Sequence, residues 1–144
     1  MFCEPKSRRR ERAGGHDGLF YEFGDNSMPH DSLTDLTTLV RSFADARDWQ
    51  QFHSPKNLAA AMTVEAGEVL EHFQWLTEAE SESLSAEKRR EVELELADVL
   101  IYLVRLADRL GIDLIAAAAR KIAINAEKYP VDQAKGSNKK YTER

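Results

Sequence analysis

Residues 95–104 read ELADVLIYLV, an aliphatic stretch that begins with two carboxylates. Its apolar residues recur at helical spacing, which predicts a helix that packs into a core. Glu95 and Asp98 are three residues apart, so both lie on one face of that helix, at the edge of its apolar side. A charge in such a place needs a partner, because a buried charge is tolerated only when it is paired or bound to a metal.

The segments on either side of this stretch also predict helices. Capping-box spacing in SLTD, a Ser-Pro start at residues 54 and 55, and a Gly stop at residue 111 mark the boundaries. Residues 77–87 predict a polar loop, and no strand pattern or internal repeat occurs in the sequence. The expected fold is all-α and four-helix bundle-like. The predicted helices span about 32–47, 54–76, 85–110 and 113–129, and their N-caps are Ser32, Ser54, Ser85 and Asp113.

The composition is that of a soluble globular protein, with 42% hydrophobic and 31% charged residues among 144. That length predicts one domain, with or without a tail. Residues 1–27 are rich in arginine and glycine without an apolar period, so we predict a disordered N-terminal tail followed by an all-α domain over 28–144. The cluster SRRRER at 7–12 is either a solvated part of this tail or an address or nucleic-acid contact.

Charge and hydropathy exclude several classes of partner. The net charge is −5 and the first 27 residues are balanced, so the domain carries the negative charge and does not attract nucleic acid through its overall field. No apolar run reaches the roughly 18 residues of a membrane span, and no signal-peptide core is present. Cys3 is the one cysteine. We therefore expect a cytoplasmic protein with no nucleic-acid or membrane partner.

A second pair of carboxylates precedes the first in the chain. Glu65 and Glu68 are three residues apart on the second predicted helix, with Gly67 between them. If this helix packs antiparallel to the third, four carboxylates converge, and a divalent cation removes their repulsion. Ligation by oxygen alone favours Mg²⁺ or Mn²⁺ over zinc. The alternative is that such pairs lie on solvated faces, but their apolar neighbours favour a site. Gly67 costs about 1 kcal/mol relative to alanine in a helix, which a close approach by a helix or ligand would explain.

The last predicted helix offers positive charge and an amide. Lys121, Asn125 and Lys128 follow at spacings of four and three, so they share one face and can hold phosphate oxygens. The alternative is that the lysines balance the C-terminal end of the helix dipole. Lys139, Lys140 and Tyr141 could close over a ligand from the C-terminal segment.

Four aromatic residues could enclose a flat heterocycle. Base stacking on such faces is worth about 1–3 kcal/mol per base, although aromatic residues in a small bundle are more often core. Two of the four lie in the loop-like segment RDWQQFHSP, where less helix packing occupies them. The histidines at 53 and 72 could ligate a metal, but a capping or surface role is favoured for each. The four aromatic residues are Trp49, Phe52, Trp75 and Tyr102.

Together these motifs resemble the E-x-x-E…E-x-x-D pattern of the all-α nucleoside triphosphate pyrophosphatases, the MazG-like superfamily, and among them the dCTP pyrophosphatase branch. The resemblance covers about residues 33–143. The blocks that carry it are RDWQQFHSPKNL (47–58), EAGEVLEHFQW (65–75), ELADVLIYLV (95–104), KIAINAEKYP (121–130) and KKYTE (139–143).

The resemblance implies Mg²⁺-dependent hydrolysis of a deoxynucleoside triphosphate, dCTP or a modified dCTP, to the monophosphate and pyrophosphate, in order to cleanse the nucleotide pool. It implies a MazG-type fold assembled as a homotetramer with sites between subunits. Some members carry an acidic residue just before the first motif glutamate; Val64 stands there in this chain, so the general base stays open. The implied metal ligands are Glu65, Glu68, Glu95 and Asp98, and the implied substrate-binding residues are Trp49, Asn57, Trp75, Tyr102, Lys121, Asn125, Tyr129 and Lys140.

Two alternatives belong to other classes. A carboxylate-bridged di-iron bundle requires Glu-x-x-His with the pair three residues apart, whereas Glu68 and His72 are four apart and the third predicted helix has no histidine. A non-catalytic helical nucleotide-sensing or interaction module would keep the fold without turnover. The intact acidic motifs favour the enzyme over both.

Overall fold

The computed structural model describes residues 32–138 and residue 140, and these residues form helices without a strand. The predicted N-terminal tail lies outside the described residues, as do Lys139 and Tyr141. The expectation of an all-α fold is confirmed for the part described. In chain order the elements are α1 (Leu33–Asp45), a 3₁₀ helix (Trp49–Gln51), α2 (Pro55–Glu71), α3 (Glu78–Ser81), α4 (Ala86–Leu110), α5 (Leu114–Lys128) and α6 (Val131–Ala134).

Each of the four long helices begins at a side chain that caps it. The capping oxygen accepts the backbone N–H three residues further on, which satisfies one of the donors that a helix N-terminus leaves free. The caps are the four predicted from the sequence, Ser32, Ser54, Ser85 and Asp113, at N···O distances of 3.1, 3.2, 3.1 and 2.9 Å respectively.

The segment predicted as a polar loop contains the short helix α3, so that prediction is wrong in part. Thr77 and Glu80 form a capping box: the Thr77 N–H donates to Glu80 Oε2 at 2.8 Å, and the Glu80 N–H donates to Thr77 Oγ1 at 3.3 Å. Two reciprocal bonds stabilise a single helical turn that has little apolar surface to bury. The second long helix accordingly ends at Glu71 rather than near residue 76.

α2 and α4 pack against each other in opposite directions, and α1 packs on α4. His53, just before α2, contacts Arg105 near the end of α4, whereas His72, just after α2, lies beside Glu91 near the start of α4. Leu58 and Val104 are the largest fully buried side chains of this core. The antiparallel packing assumed from the sequence is therefore present.

α5 differs from the expectation of a closed four-helix bundle. It is not among the helix pairs that pack extensively in the described part of the chain, and none of its residues is buried. Ile115 and Ile122 are about two thirds exposed, at 67% and 68%. The described helices thus leave the isoleucines of α5 largely uncovered. No helix in the described part is long and apolar enough to cross a bilayer.

Two glycines predict opposite responses to alanine. Gly111 ends α4 at φ +64°, a left-handed conformation that costs a residue with a Cβ, so Gly111→Ala should lower the free energy of unfolding by about 1 kcal/mol. Gly67 is inside α2, and a Cβ there would meet no atom of the described residues within 4 Å. Gly67→Ala should therefore raise the free energy of unfolding by about 1 kcal/mol. Urea unfolding of both variants tests this prediction, and a change of the unfolding free energy in the same direction for both would contradict it.

Candidate active site

Three carboxylates meet on the half-buried surface between α2 and α4. Glu65, Glu95 and Asp98 each place an oxygen so that the three atoms lie within 4.8 Å of one another. Glu65 comes from the middle of α2, and the other two come from successive turns of α4. The predicted convergence of the two acidic pairs is therefore present for three of the four residues.

Glu68 is the fourth predicted ligand and lies one turn beyond Glu65 on the same face of α2. Its carboxylate is not among the three clustered oxygens, but it acts on Glu65 electrostatically. The pKa of Glu65 is raised, first by burial and then by the charges of Asp98, Glu68 and Glu95. Such a concentration of like charge is unfavourable by itself and suits a cation that four oxygens can approach.

Tyr102 continues the acidic face of α4 by one turn. Its phenol is half-buried, and its pKa is raised by burial and by the charges of Glu65 and Asp98. The hydroxyl therefore stays protonated at neutral pH and can donate a hydrogen bond beside the carboxylates. Among the predicted aromatic substrate-binding residues, Tyr102 is the one whose pKa responds to the charges of the acidic cluster.

His72 lies against the acidic face from the other side. It is the C-cap residue of α2, and its ring places Nδ1 3.8 Å from Glu91 Oε2 and Nε2 4.0 Å from Glu95 Oε1. The sequence favours a capping or surface role for His72: the residue does form the C-cap of α2, whereas its side chain is largely buried rather than on the surface. The signal was its spacing, because His72 follows Glu65 and Glu68 at i+7 and i+4 and so shares their face.

The other predicted pocket residues stand at the two ends of α2. Trp49 and Asn57 are at its N-terminal end, where Asn57 Nδ2 donates to the carbonyl oxygen of Phe52 at 3.0 Å. Trp75 follows its C-terminal end and is 87% exposed. A helix of 17 residues is about 25 Å long, so a single chain does not gather Trp49 and Trp75 around one base.

Trp49 has a defined environment. Its ring makes edge-to-face contacts with Phe43, at 5.6 Å between centroids, and with His53, at 6.3 Å. The Arg47 guanidinium carbon lies over the Phe43 ring, 3.6 Å from its centroid, and 5.8 Å from the centroid of the Trp49 ring. Asp48, just before Trp49, adopts a left-handed φ of 53°, which aspartate tolerates better than most residues. The indole is therefore held by aromatic and cationic neighbours near the N-terminal end of α2.

The predicted phosphate-binding residues of α5 are exposed and are not brought to the acidic cluster. Lys121 and Asn125 lie on α5, which does not pack extensively against α2 or α4, and Tyr129 and Lys140 follow it. The Tyr129 N–H donates to the carbonyl oxygen of Asn125 at 2.9 Å and closes the helix. The substrate-binding role of these four residues therefore stays a prediction.

Sequence reasoning missed a second charged group at the other end of α4. Arg105 is buried at 3% exposure, with its Nη1 2.7 Å from Asp108 Oδ2 and its Nε 3.2 Å from His53 Nδ1. Asp108 also receives the guanidinium of Arg41 from α1. The signal in the sequence was again spacing, since residues 95, 98, 102 and 105 follow at intervals of three, four and three along one face.

Comparisons with known proteins identify the family of this chain. Residues 60–143 match the family model described as the MazG-like family. Over 117 residues the chain is 45% identical to human dCTP pyrophosphatase 1 and 44% identical to the rat protein of the same name, which covers 80% of this chain and 69% of either relative. A crystal structure of a pyrophosphatase from Archaeoglobus fulgidus is 42% identical, with a TM-score of 0.65, over 68% of this chain and 92% of that one.

The matched region contains both acidic pairs and the whole of α4 and α5. A family match over more than half of the chain, together with relatives above 40% identity, is far beyond likeness of fold alone. The chain therefore belongs to the MazG-like family and is a nucleotide pyrophosphatase similar to dCTP pyrophosphatase.

Proposed function

We propose that the protein is a Mg²⁺-dependent enzyme that hydrolyses a deoxynucleoside triphosphate, dCTP or a base-modified dCTP, to the monophosphate and pyrophosphate. The observation that carries the proposal is the meeting of Glu65, Glu95 and Asp98 within 4.8 Å, in a chain 45% identical to a dCTP pyrophosphatase. Removal of unwanted nucleotides from the cytoplasmic pool is the role that this reaction suits.

The donor set fits magnesium. All three clustered ligand atoms are carboxylate oxygens, and Glu68 adds a fourth carboxylate nearby. Mg²⁺ prefers such hard oxygen ligands and retains several waters, so it does not need a complete protein cage; Mn²⁺ accepts the same ligands. When bound, Mg²⁺ neutralises charge on the triphosphate and orients the attacking water.

The residues of the chain then perform the remaining tasks. The carboxylates hold the cation at a half-buried face, where charge interactions are stronger than in water. Tyr102 donates a hydrogen bond to the substrate next to these carboxylates. Water attacks the α-phosphorus, the bond to the bridging oxygen breaks, and pyrophosphate leaves. Positioning and charge stabilisation account for most of the catalysis in such phosphoryl chemistry.

We also propose that the site is completed between subunits of a homotetramer. Two findings support this: Trp49 and Trp75 lie beyond opposite ends of α2, a helix about 25 Å long, and α5 exposes its isoleucines together with Lys121 and Asn125. Packing of α5 on another copy would cover the isoleucines and bring cationic and amide groups toward a triphosphate. Sedimentation velocity tests the assembly, and a monomer at micromolar concentration would contradict it.

The experiment that tests the function is a substrate panel. Pyrophosphate and phosphate release are measured with each deoxynucleoside and ribonucleoside triphosphate, first in Mg²⁺ and then in EDTA. Mg²⁺-dependent pyrophosphate release, fastest with dCTP or 5-modified dCTP, is the expected result. Faster release from another base would keep the reaction and discard cytosine. Release of single phosphate, or tight nucleotide binding without turnover, would contradict the proposed reaction.

A further inference from the structure

Arg105 lies on the same face of α4 as the acidic residues of the site, one turn beyond Tyr102. It follows Asp98 and Tyr102 on the same side of the helix, and its side chain is 3% exposed. Its Nη2 is buried and has no hydrogen-bond partner among the described residues. An unsatisfied buried donor destabilises a fold, so stability alone does not explain an arginine at this position.

The guanidinium of Arg105 holds the segment that carries Trp49. Its Nε donates to His53 Nδ1 at 3.2 Å, and the His53 ring packs edge to face on the indole of Trp49. One helical turn further along α4, Arg109 Nη1 donates to Gln50 Oε1 at 3.3 Å. Two arginines of α4 therefore hold Gln50, in the 3₁₀ helix, and His53, two residues after it, by side-chain hydrogen bonds.

The bond from Arg105 requires one form of the histidine. His53 accepts at Nδ1, so the ring is neutral and carries its proton on Nε2. Asp108 fixes the arginine in turn: it accepts from Arg105 at 2.7 Å and from Arg41 of α1. The position of the Trp49 segment is thus connected through His53 and Arg105 to the junction of α1 and α4.

We propose that Arg105 is a positioning residue for the base pocket, which acts by holding His53 so that Trp49 keeps the place where it contacts the nucleobase. This inference rests on the proposed function, in which Trp49 lines that pocket. Arg105 does not touch the reacting phosphate. Its loss therefore weakens nucleotide binding and leaves the chemical step nearly unchanged.

Protonation of His53 breaks the same bond, because both ring nitrogens then become donors. The pKa of His53 is lowered, first by burial and then by the charges of Arg105 and Arg109; Asp108 and Arg41 complete the charged groups of this network. A lowered pKa keeps the ring neutral at pH 7. The bond is lost only as the pH falls through the lowered pKa of His53, which lies below the ordinary pKa of histidine.

Two variants of nearly equal shape test the inference. His53→Asn keeps an acceptor oxygen at the position of Nδ1, whereas His53→Leu has the same branching without an acceptor. For the Leu variant we expect KM to rise about tenfold while kcat stays within about twofold of wild type; the Asn variant should keep a KM close to wild type. Arg105→Lys keeps the charge beside Asp108 but loses the Nε donor, and should resemble the Leu variant.

The pH profile separates positioning from a general loss of stability. On acidification KM should rise more in the wild type than in either His53 variant, because only the wild type loses the Arg105–His53 bond. The part of the rise in KM that comes from protonation of the carboxylates should be the same in all three proteins. Equal KM values for the Asn and Leu variants, or a fall in kcat alone, would overturn the inference. If the Leu variant is unfolded by circular dichroism, Arg105→Lys decides by the same criterion.

Binding calorimetry distinguishes this inference from the proposed function. A non-hydrolysable dCTP analogue replaces the substrate, so affinity is measured whether or not the wild type turns over. Wild-type protein that binds the analogue without releasing pyrophosphate from dCTP would refute the proposed reaction, and a weaker affinity in the Leu variant would still support the inference. Equal affinity in both variants and the wild type, or no binding by the wild type, would overturn the inference.

Discussion

Replacing Asp98 by asparagine, or Glu95 by glutamine, is expected to lower kcat at least about a hundredfold at saturating nucleotide and Mg²⁺. Both substitutions keep the size and branching of the side chain and remove its charge. In metal sites the loss of an outer partner of a ligand already costs about 10–100-fold in metal affinity or activity, so loss of a ligand itself should cost no less. Steady-state pyrophosphate release measures the effect.

The stability of these variants should move in the other direction. The pKa of Glu65 is raised by burial and by its carboxylate neighbours, as expected where like charges repel one another. Removing one negative charge relieves that repulsion. In EDTA the variants should therefore unfold at the same temperature as wild type or higher. Mg²⁺ should raise the melting temperature of the wild type more than that of either variant, because it binds the folded state.

Glu93→Gln is the matched control. Glu93 is exposed on α4 two residues before Glu95, and therefore on the opposite side of the helix. The substitution removes the same charge from the same helix without touching the cluster, so kcat and the response to Mg²⁺ should stay as in wild type. Near-normal kcat in Asp98→Asn and Glu95→Gln would remove the basis for the metal assignment.

The local parts of this structure could be read from the sequence because short-range rules determine them. Four caps were identified correctly since a capping side chain and its N–H partner are three residues apart. The acidic cluster needed one more assumption, the antiparallel packing of two helices. The missed turn α3 also has a local signal, T-x-x-E at 77–80, which a polar composition obscured.

Long-range parts could not be read in the same way. The Arg105–His53 bond joins residues 52 apart, and the spacing that places Arg105 on the face of Asp98 and Tyr102 does not say that its side chain meets His53. α5 carries a helical pattern like that of a bundle helix, yet it does not pack extensively on another helix in the described part of the chain. Helical periodicity predicts that an apolar face will be covered, but it does not say by which surface. The positions of Lys121 and Asn125 relative to the acidic cluster therefore could not be predicted from it.

Asp108→Asn is the substitution with the largest expected effect on stability. Asp108 is 11% exposed at its side chain and receives hydrogen bonds from both Arg105 and Arg41. Neutralising it leaves the buried Arg105 without a counter-charge, which should lower the free energy of unfolding by about 3 kcal/mol. Arg41→Gln is the comparison, because the Arg41 side chain is half exposed and solvent screens its charge, so its loss should destabilise the fold much less than Asp108→Asn. Urea titration at one fixed protein concentration measures both.

The effect of Asp108→Asn should also depend on pH in a defined direction. The pKa of Asp108 is lowered, chiefly by the hydrogen bond from Arg41 and further by the charges of Arg41 and Arg105, against the opposing effect of burial. A carboxyl with a lowered pKa in the folded state stabilises fully above its unfolded value of about 4, and that contribution is lost as the pH falls through the folded value. The difference in unfolding free energy between wild type and Asp108→Asn should therefore be full at pH 7 and shrink below about pH 4. A difference that stayed constant down to about pH 3 would mean that Asp108 acts through its shape rather than through its charge, because its protonation would then change nothing.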